Sequence, residues 1–280
     1  MANFGQRIGR RPIRDVVQTD SVDDSTRVAF WNVIHNAMRG LLKSEHPKSV
    51  ALMKSIWAKG LELPIDEYSW NMCELRIKDR LLKGDWVEAL EMVEGFGNVT
   101  ETHLGDAFSD EYRRIANDIL AQGLIGYRFI GSELALVDDA QSAEEIETAI
   151  AAGSSVARGH LERAVSLLAD RQNPQYAKVA GEAILAVEAT VHELTGKKTL
   201  GDGLKEMGKR GLPVHAAVVK AWSAMYGYAS GAGGMRHANI GGEEVDAAMA
   251  VYLLVTCSAF VNLLTKVAAA SASEEASDSA

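Results

Sequence analysis

Tyr226-Gly-Tyr-Ala-Ser-Gly-Ala-Gly-Gly-Met-Arg236-His237-Ala-Asn239-Ile-Gly-Gly242 is a glycine-rich break between two apolar helical runs. Before it, residues 213–225 form an amphipathic segment opened by Pro213. After it, residues 245–267 carry few charges over a length suited to a long helix. A break of this kind between two such runs points to a helical bundle. The break also carries chemistry. Arginine is a fixed cation with a planar donor fork that fits phosphate, and histidine titrates near neutral pH. Glycine lets a loop come close to a ligand. The plainer reading is an Arg236 that caps a helix end and a His237 that packs.

Working outward, residues 176–194 read as a helix with Glu188 set midway in Ala183-Ile-Leu-Ala-Val-Glu-Ala-Thr-Val191. A carboxylate among apolar neighbours is costly unless it is paired. Arg236 is the partner this bundle offers, and the alternative is a Glu188 that points to solvent. RNA cleavage by its own 2′-hydroxyl needs a base, a cation for the developing phosphorane charge, and no metal. His237 and Arg236 fit those two roles, with Glu188 holding Arg236. Ser230 and Asn239 are the polar groups placed to hold a phosphate or the imidazole.

The rest of the second half is helical too, at about 154–168 and 199–211, and residues 271–280 are small and acidic, as in a disordered tail. The first half opens on an arm with Arg7, Arg10, Arg11 and Arg14. The acids from Asp20 to Asp24 then cap a helix over 26–42, with Phe30, Trp31, Val33, Ile34, Met38, Leu41 and Leu42 as its apolar stripe. Further helices are expected at 49–61 (Leu52, Met53, Ile56 and Trp57 inward), 69–83, 85–96, 110–122 and from 142. Residues 126–137 read as a β-hairpin turning at Gly131-Ser132. The fold expected is mainly α. It has an N-terminal helical domain with a short hairpin (1–152), a C-terminal helical bundle (153–270) and the tail (271–280).

Composition narrows the function classes. The 280 residues carry a formal charge of −9. Residues 1–150 hold 17 basic against 25 acidic side chains, so the chain should not coat nucleic acid indiscriminately. Nucleic-acid contact would then be local, at the arginine arm or at the face with Lys197, Lys198, Lys209, Arg210 and Arg236. Cys73 and Cys257 are far apart in helical patterns, as buried thiols of a reducing cytosol are. Residues 245–267 raise the membrane question. Thr256, Ser258, Asn262 and Thr265 interrupt them at spacings suited to a buried bundle helix, so a soluble cytoplasmic protein is expected, with no membrane partner.

Other constellations are weak. There is no phosphate loop with a following Lys-Ser/Thr pair. His160, His192 and His215 lie on separate helices without metal-ligand spacing, and neither a metal nor a cofactor is expected. Trp31, Trp57, Trp70 and Trp86 read as core or interface anchors. A helix followed by a hairpin also raises a winged-helix DNA reader, in which only Arg128 could reach phosphate.

Two parts of the chain resemble the abortive-infection AbiJ-type proteins of bacteria. Phe4-Gly-Gln-Arg-Ile-Gly-Arg-Arg-Pro-Ile-Arg-Asp-Val-Val-Gln18, then Asp23-Asp24, Trp31-Asn32 and Gly126-Tyr-Arg-Phe-Ile130, looks like one of that group's N-terminal domains. His160-Leu-Glu-Arg-Ala164, Asp170-Arg-Gln-Asn-Pro174, Glu188, Tyr226-Gly-Tyr228 and Gly234-Met-Arg-His237 look like their C-terminal domain. That domain is in turn similar to the HEPN superfamily of α-helical bundles. Many HEPN proteins are metal-independent ribonucleases that act as dimers in phage defence and toxin–antitoxin systems. The resemblance implies RNA as partner, a homodimer through the C-terminal domain, and a sensing role for the N-terminal half toward an unidentified partner. One departure matters. The pattern's later histidine would fall at about 240–243, where the chain reads Ile240-Gly-Gly-Glu243. Either His237 works alone, or the domain binds without cutting, as a non-catalytic interaction or antitoxin-type module.

Overall fold

The computed structural model describes residues 17–43, 48–170, 172–209, 215–230 and 245–278, with only the helical backbone at 208–209, 228–230 and 271–278. The chain divides into two compact units, Met1–Leu134 with Asp138–Ala140, and Ala135–Val137 with Gln141–Ala280. Both are built mainly from α-helices, as expected, and the described residues add one two-stranded hairpin.

In the first unit, α1 (Asp24–Lys43) begins where the Asp23 carboxylate accepts the N–H groups of Ser25 (3.0 Å) and Thr26 (3.2 Å). Such a side-chain acceptor satisfies amide donors that the first turn leaves open. Phe30, Ile34, Met38 and Leu41 are buried along one stripe. Trp31 and Val33 sit only half-buried at its margin, and Leu42 is exposed, so the inward face is narrower than the sequence suggests. Next, α2 (Ser49–Ser55) widens into a π turn over Ile56–Gly60, and together they bury Leu52, Met53, Ile56 and Trp57 as expected.

Ser69 caps α3 (Trp70–Lys83), and a capping box between Asp85 and Glu88 opens α4 (Trp86–Leu104). Expected to end at Phe96, α4 runs eight residues further. Gly97 does not stop it, because the missing side chain lets the Tyr112 ring pack in, and a Cβ there would stand 3.3 Å from Tyr112 Cε1. Tertiary packing thus overrides a weak local propensity. Gly105 at φ +92° turns the chain into α5 (Asp106–Gln122), four residues ahead of the expected start.

After α5 come β1 (Arg128–Ile130) and β2 (Glu133–Ala135), joined through Gly131 at φ +60°. Asn117 on α5 holds β1 by accepting from Phe129 N (2.8 Å) and donating to Phe129 O (3.1 Å). Arg128 is only 3% exposed. Its guanidinium donates to the carbonyls of Ile125 and Tyr127 (both 2.6 Å) and Asp138 (2.8 Å). Burial pulls its pKa down, and Asp138 and Asp139 offset part of this. An arginine spent on three carbonyls cannot reach a phosphate. The winged-helix reading fails at the one residue it needed.

In the second unit, α8 (Tyr176–Thr195) is the central helix. It packs against α7 (Ser155–Ala169), α9 (Leu200–Lys209), α10 (Ala216–Ser230) and α11 (Ala247–Asp278). Its buried face carries Val179, Ala183, Val187 and Val191. Gly203 allows α9 to approach, since a Cβ there would collide with the Val191 side chain. Trp222 of α10 stacks on Phe260 of α11, with centroids 4.0 Å apart and planes 11° from parallel. Asn262 of α11 donates to the main-chain (3.0 Å) and side-chain (2.8 Å) oxygens of Glu145 on α6 (Ala140–Ala152).

Helix α11 also corrects the expected tail, since it continues to Asp278 rather than giving way to disorder at 271. The added segment is rich in alanine, which costs a helix least. By length and composition, Ala247–Ala270 could cross a membrane, yet half of its most apolar window is buried inside the unit. Cys73 and Cys257 are buried free thiols, each pushed up to about 12 by burial.

Candidate functional site

Glu188 lies on α8 between buried neighbours, after Val187 and before Thr190, and is itself half-buried. It is not an unpartnered solvent group. Arg236, His237, Asn239 and Arg210 lie outside the described residues. Lys209 and Ser230 are the last residues of α9 and α10, and only their helical backbone is described. Ser230 therefore ends a helix instead of standing in the glycine break.

Connectivity is informative here. Residues 231–244, with Arg236 and His237, join α10 to α11, and both of those helices pack on α8, which carries Glu188. The chain thus returns twice to the helix holding the carboxylate. Of the basic face expected nearby, Lys198 is exposed, while Lys197 Nζ is 3.6 Å from Glu206 Oε2.

A polar cluster that sequence reasoning missed bridges α7 and α8. Glu182 Oε2 lies 2.7 Å from His160 Nδ1 and 3.1 Å from Arg163 Nε. Arg163 Nη2 also comes within 2.6 Å of His160 Nδ1. A guanidinium only donates, so Nδ1 can accept from Arg163 or donate to Glu182, but not both. The site has two hydrogen-bonded arrangements that differ by the place of one imidazole proton. The separation of three between His160 and Arg163 puts them on one helix face, but nothing in the sequence pointed to Glu182.

The other two singled-out histidines serve the backbone. His192 Nδ1 lies 2.8 Å from Lys197 O, and His215 Nδ1 accepts from Ala217 N at 3.1 Å. Among the described residues, no three His, Cys, Asp or Glu side chains are arranged to hold a metal ion.

The first unit holds a second missed cluster, between α1 and α3. Glu74 is the floor, with its side chain 12% exposed. Arg39 Nη2 reaches both of its oxygens, at 3.0 and 2.9 Å. His35 Nδ1 stands 2.8 Å from Glu74 Oε1, without the alignment of a hydrogen bond. Trp31, His35 and Arg39 repeat every four residues, and Asn71, Glu74, Leu75 and Lys78 share one face of α3, a signal available from spacing alone.

A family model described as AbiJ N-terminal domain 4 matches residues 2–152. No curated protein and no solved structure matches the chain.

Proposed function

The chain belongs to the AbiJ N-terminal domain 4 family and is an AbiJ-type abortive-infection protein; from that premise we propose that its second unit acts on RNA in the cytoplasm as a HEPN-like, metal-independent endoribonuclease. In this reading Arg236 stabilises the scissile phosphate, His237 is the base, and Glu188 fixes the guanidinium. Ser230, Asn239, Lys209 and Arg210 assist in holding the strand. The observation that carries it is the convergence of α10 and α11, the two helices that the Arg236-His237 segment joins, on the helix of Glu188. A half-buried carboxylate on such a helix suits an arginine that must be held in place.

The proposal includes a homodimer through the same unit. Helix α11 leaves Met249 (38%), Tyr252 (56%) and Leu263 (42%) exposed, large apolar residues that a second copy would cover. Incubating the purified chain with RNA in chelator tests the reading. Cleavage is expected, with loss in Arg236→Ala and a marked drop in Glu188→Gln. Cleavage that survives Arg236→Ala refutes the assigned site. RNA bound but left intact at every protein concentration refutes catalysis and supports the binding module, the reading that Ile240-Gly-Gly-Glu243 favours by lacking a second histidine.

A further inference from the structure

The groove between α1 and α3 in the first unit is lined by Trp31, His35, Arg39, Asn71, Glu74 and Lys78, with Leu75 as an apolar wall. Its volume is about 420 Å³, within the range of small-molecule sites. We propose that this groove binds a nucleotide unit, with its base on the Trp31 indole and its phosphate between Lys78 and Arg39.

Four observations converge. First, Trp31 is only half-buried and lines the groove. The fully buried Trp57 shows what a core anchor looks like in the same unit. Second, the indole is already set among polar groups suited to a base. It leans on the His35 ring at 5.0 Å and 37°, and Lys78 Nζ stands 5.4 Å from its centroid. An aromatic face that attracts a cation also stacks on bases, whatever their identity. Lys78 is exposed, and its long rotatable stem lets an incoming base displace the ammonium toward the phosphate.

Third, the local charge runs against that of its surroundings. The groove pairs two fixed cations, Arg39 and Lys78, with one carboxylate, whereas residues 1–150 carry a surplus of acids. The Glu74 carboxylate does not repel an anion as a free one would, because Arg39 spans both of its oxygens and His35 flanks it. Held this way, Arg39 is fixed in place, and half of its side chain is still exposed to meet a phosphate. Fourth, the exposed Asn71 amide supplies both a donor and an acceptor for a base edge.

The site concerns the first unit and stands apart from RNA cleavage by the second. Calorimetric titration of the full chain carrying Arg236→Ala keeps the two separable. Three probes distinguish the source of the nucleotide: a nucleoside monophosphate, a single-stranded RNA hexamer, and inorganic phosphate. Saturation by the monophosphate identifies a free nucleotide as ligand, and saturation by the hexamer alone identifies a strand. Trp31→Ala should weaken binding roughly tenfold or more, and Trp31→Phe much less, since a smaller ring still stacks. Lys78→Gln should weaken it severalfold at low salt, with the difference shrinking as salt rises. Unfolding curves like that of the parent chain would show that each variant is folded. Three results overturn the proposal: no nucleotide probe binds, Trp31→Ala binds like the parent, or inorganic phosphate binds as tightly as the nucleotides.

Discussion

Gly203 offers a sharp test of how the second unit is packed. A Cβ at this position would fall inside the 3.0 Å that real Cβ contacts respect against Val191 Cγ1, and at 3.1 Å from Thr195 Oγ1. Neither neighbour can move easily. Val191 is β-branched and fully buried on α8, which leaves it one favoured rotamer. The Thr195 hydroxyl donates to Val191 O (2.7 Å) and accepts from Lys197 N (3.2 Å). Gly203→Ala must therefore push α9 away from α8. Overpacking of this kind costs about 1–3 kcal/mol. Alanine returns up to about 1 kcal/mol through helix propensity. Gly201, on the same helix with nothing within 4 Å of its would-be Cβ, isolates that second contribution. Gly201→Ala should stabilise slightly, and Gly203→Ala should fall below it by about 1–3 kcal/mol, a difference set by the clash alone. Urea denaturation measures it directly, and a thermal melt should separate the two variants by several degrees. A Gly203→Ala protein as stable as Gly201→Ala would refute the close approach of the two helices.

Two further outcomes follow from buried groups. Arg128→Met should destabilise the first unit by about 1–3 kcal/mol, because buried carbonyls lose their donor, and it should leave duplex DNA binding unchanged; urea midpoints and a gel-shift assay check both halves. Both thiols should stay unreactive toward a disulfide reagent at pH 8 until the chain unfolds, since burial holds Cys73 and Cys257 up to about 12. Because the folded pKa lies above the unfolded value of 9.0, this stabilisation is complete below pH 9 and fades as pH rises toward 12. Cys257→Ala should flatten that alkaline decline in denaturation curves taken across the same range.

The helical character of this chain was legible because its signals are local. Caps at Asp23, Ser69 and Asp85 and the spacing of Phe30, Ile34 and Met38 state helix starts and inner faces without any tertiary knowledge. The misjudged ends have a common cause. The helix expected to close at Phe96 runs on because Tyr112 packs against Gly97, and residues 271–278 read as a tail until α11 carries through them. Arg128 shows the same gap from the side of function. A basic residue beside a hairpin tip looks available for phosphate, and only the fold reveals three carbonyls waiting for it. The cluster of His160 with Glu182 joins residues on different helices, and spacing within α7 gave no sign of the partner on α8. The largely buried helix that carries Glu188 was legible, because its apolar character is written in consecutive neighbours.

The Asn262–Glu145 link bears on how the chain is made. Its two ends are 117 positions apart, and Glu145 lies within the stretch matched by the family model. A ribosome adding about 5–20 residues each second would need on the order of ten seconds between the two. For that interval the last helix of the family region has left the exit tunnel without the amide that secures it. A nascent chain stalled before residue 262 should therefore expose α6 to proteases, while the caps of the first unit are already in place.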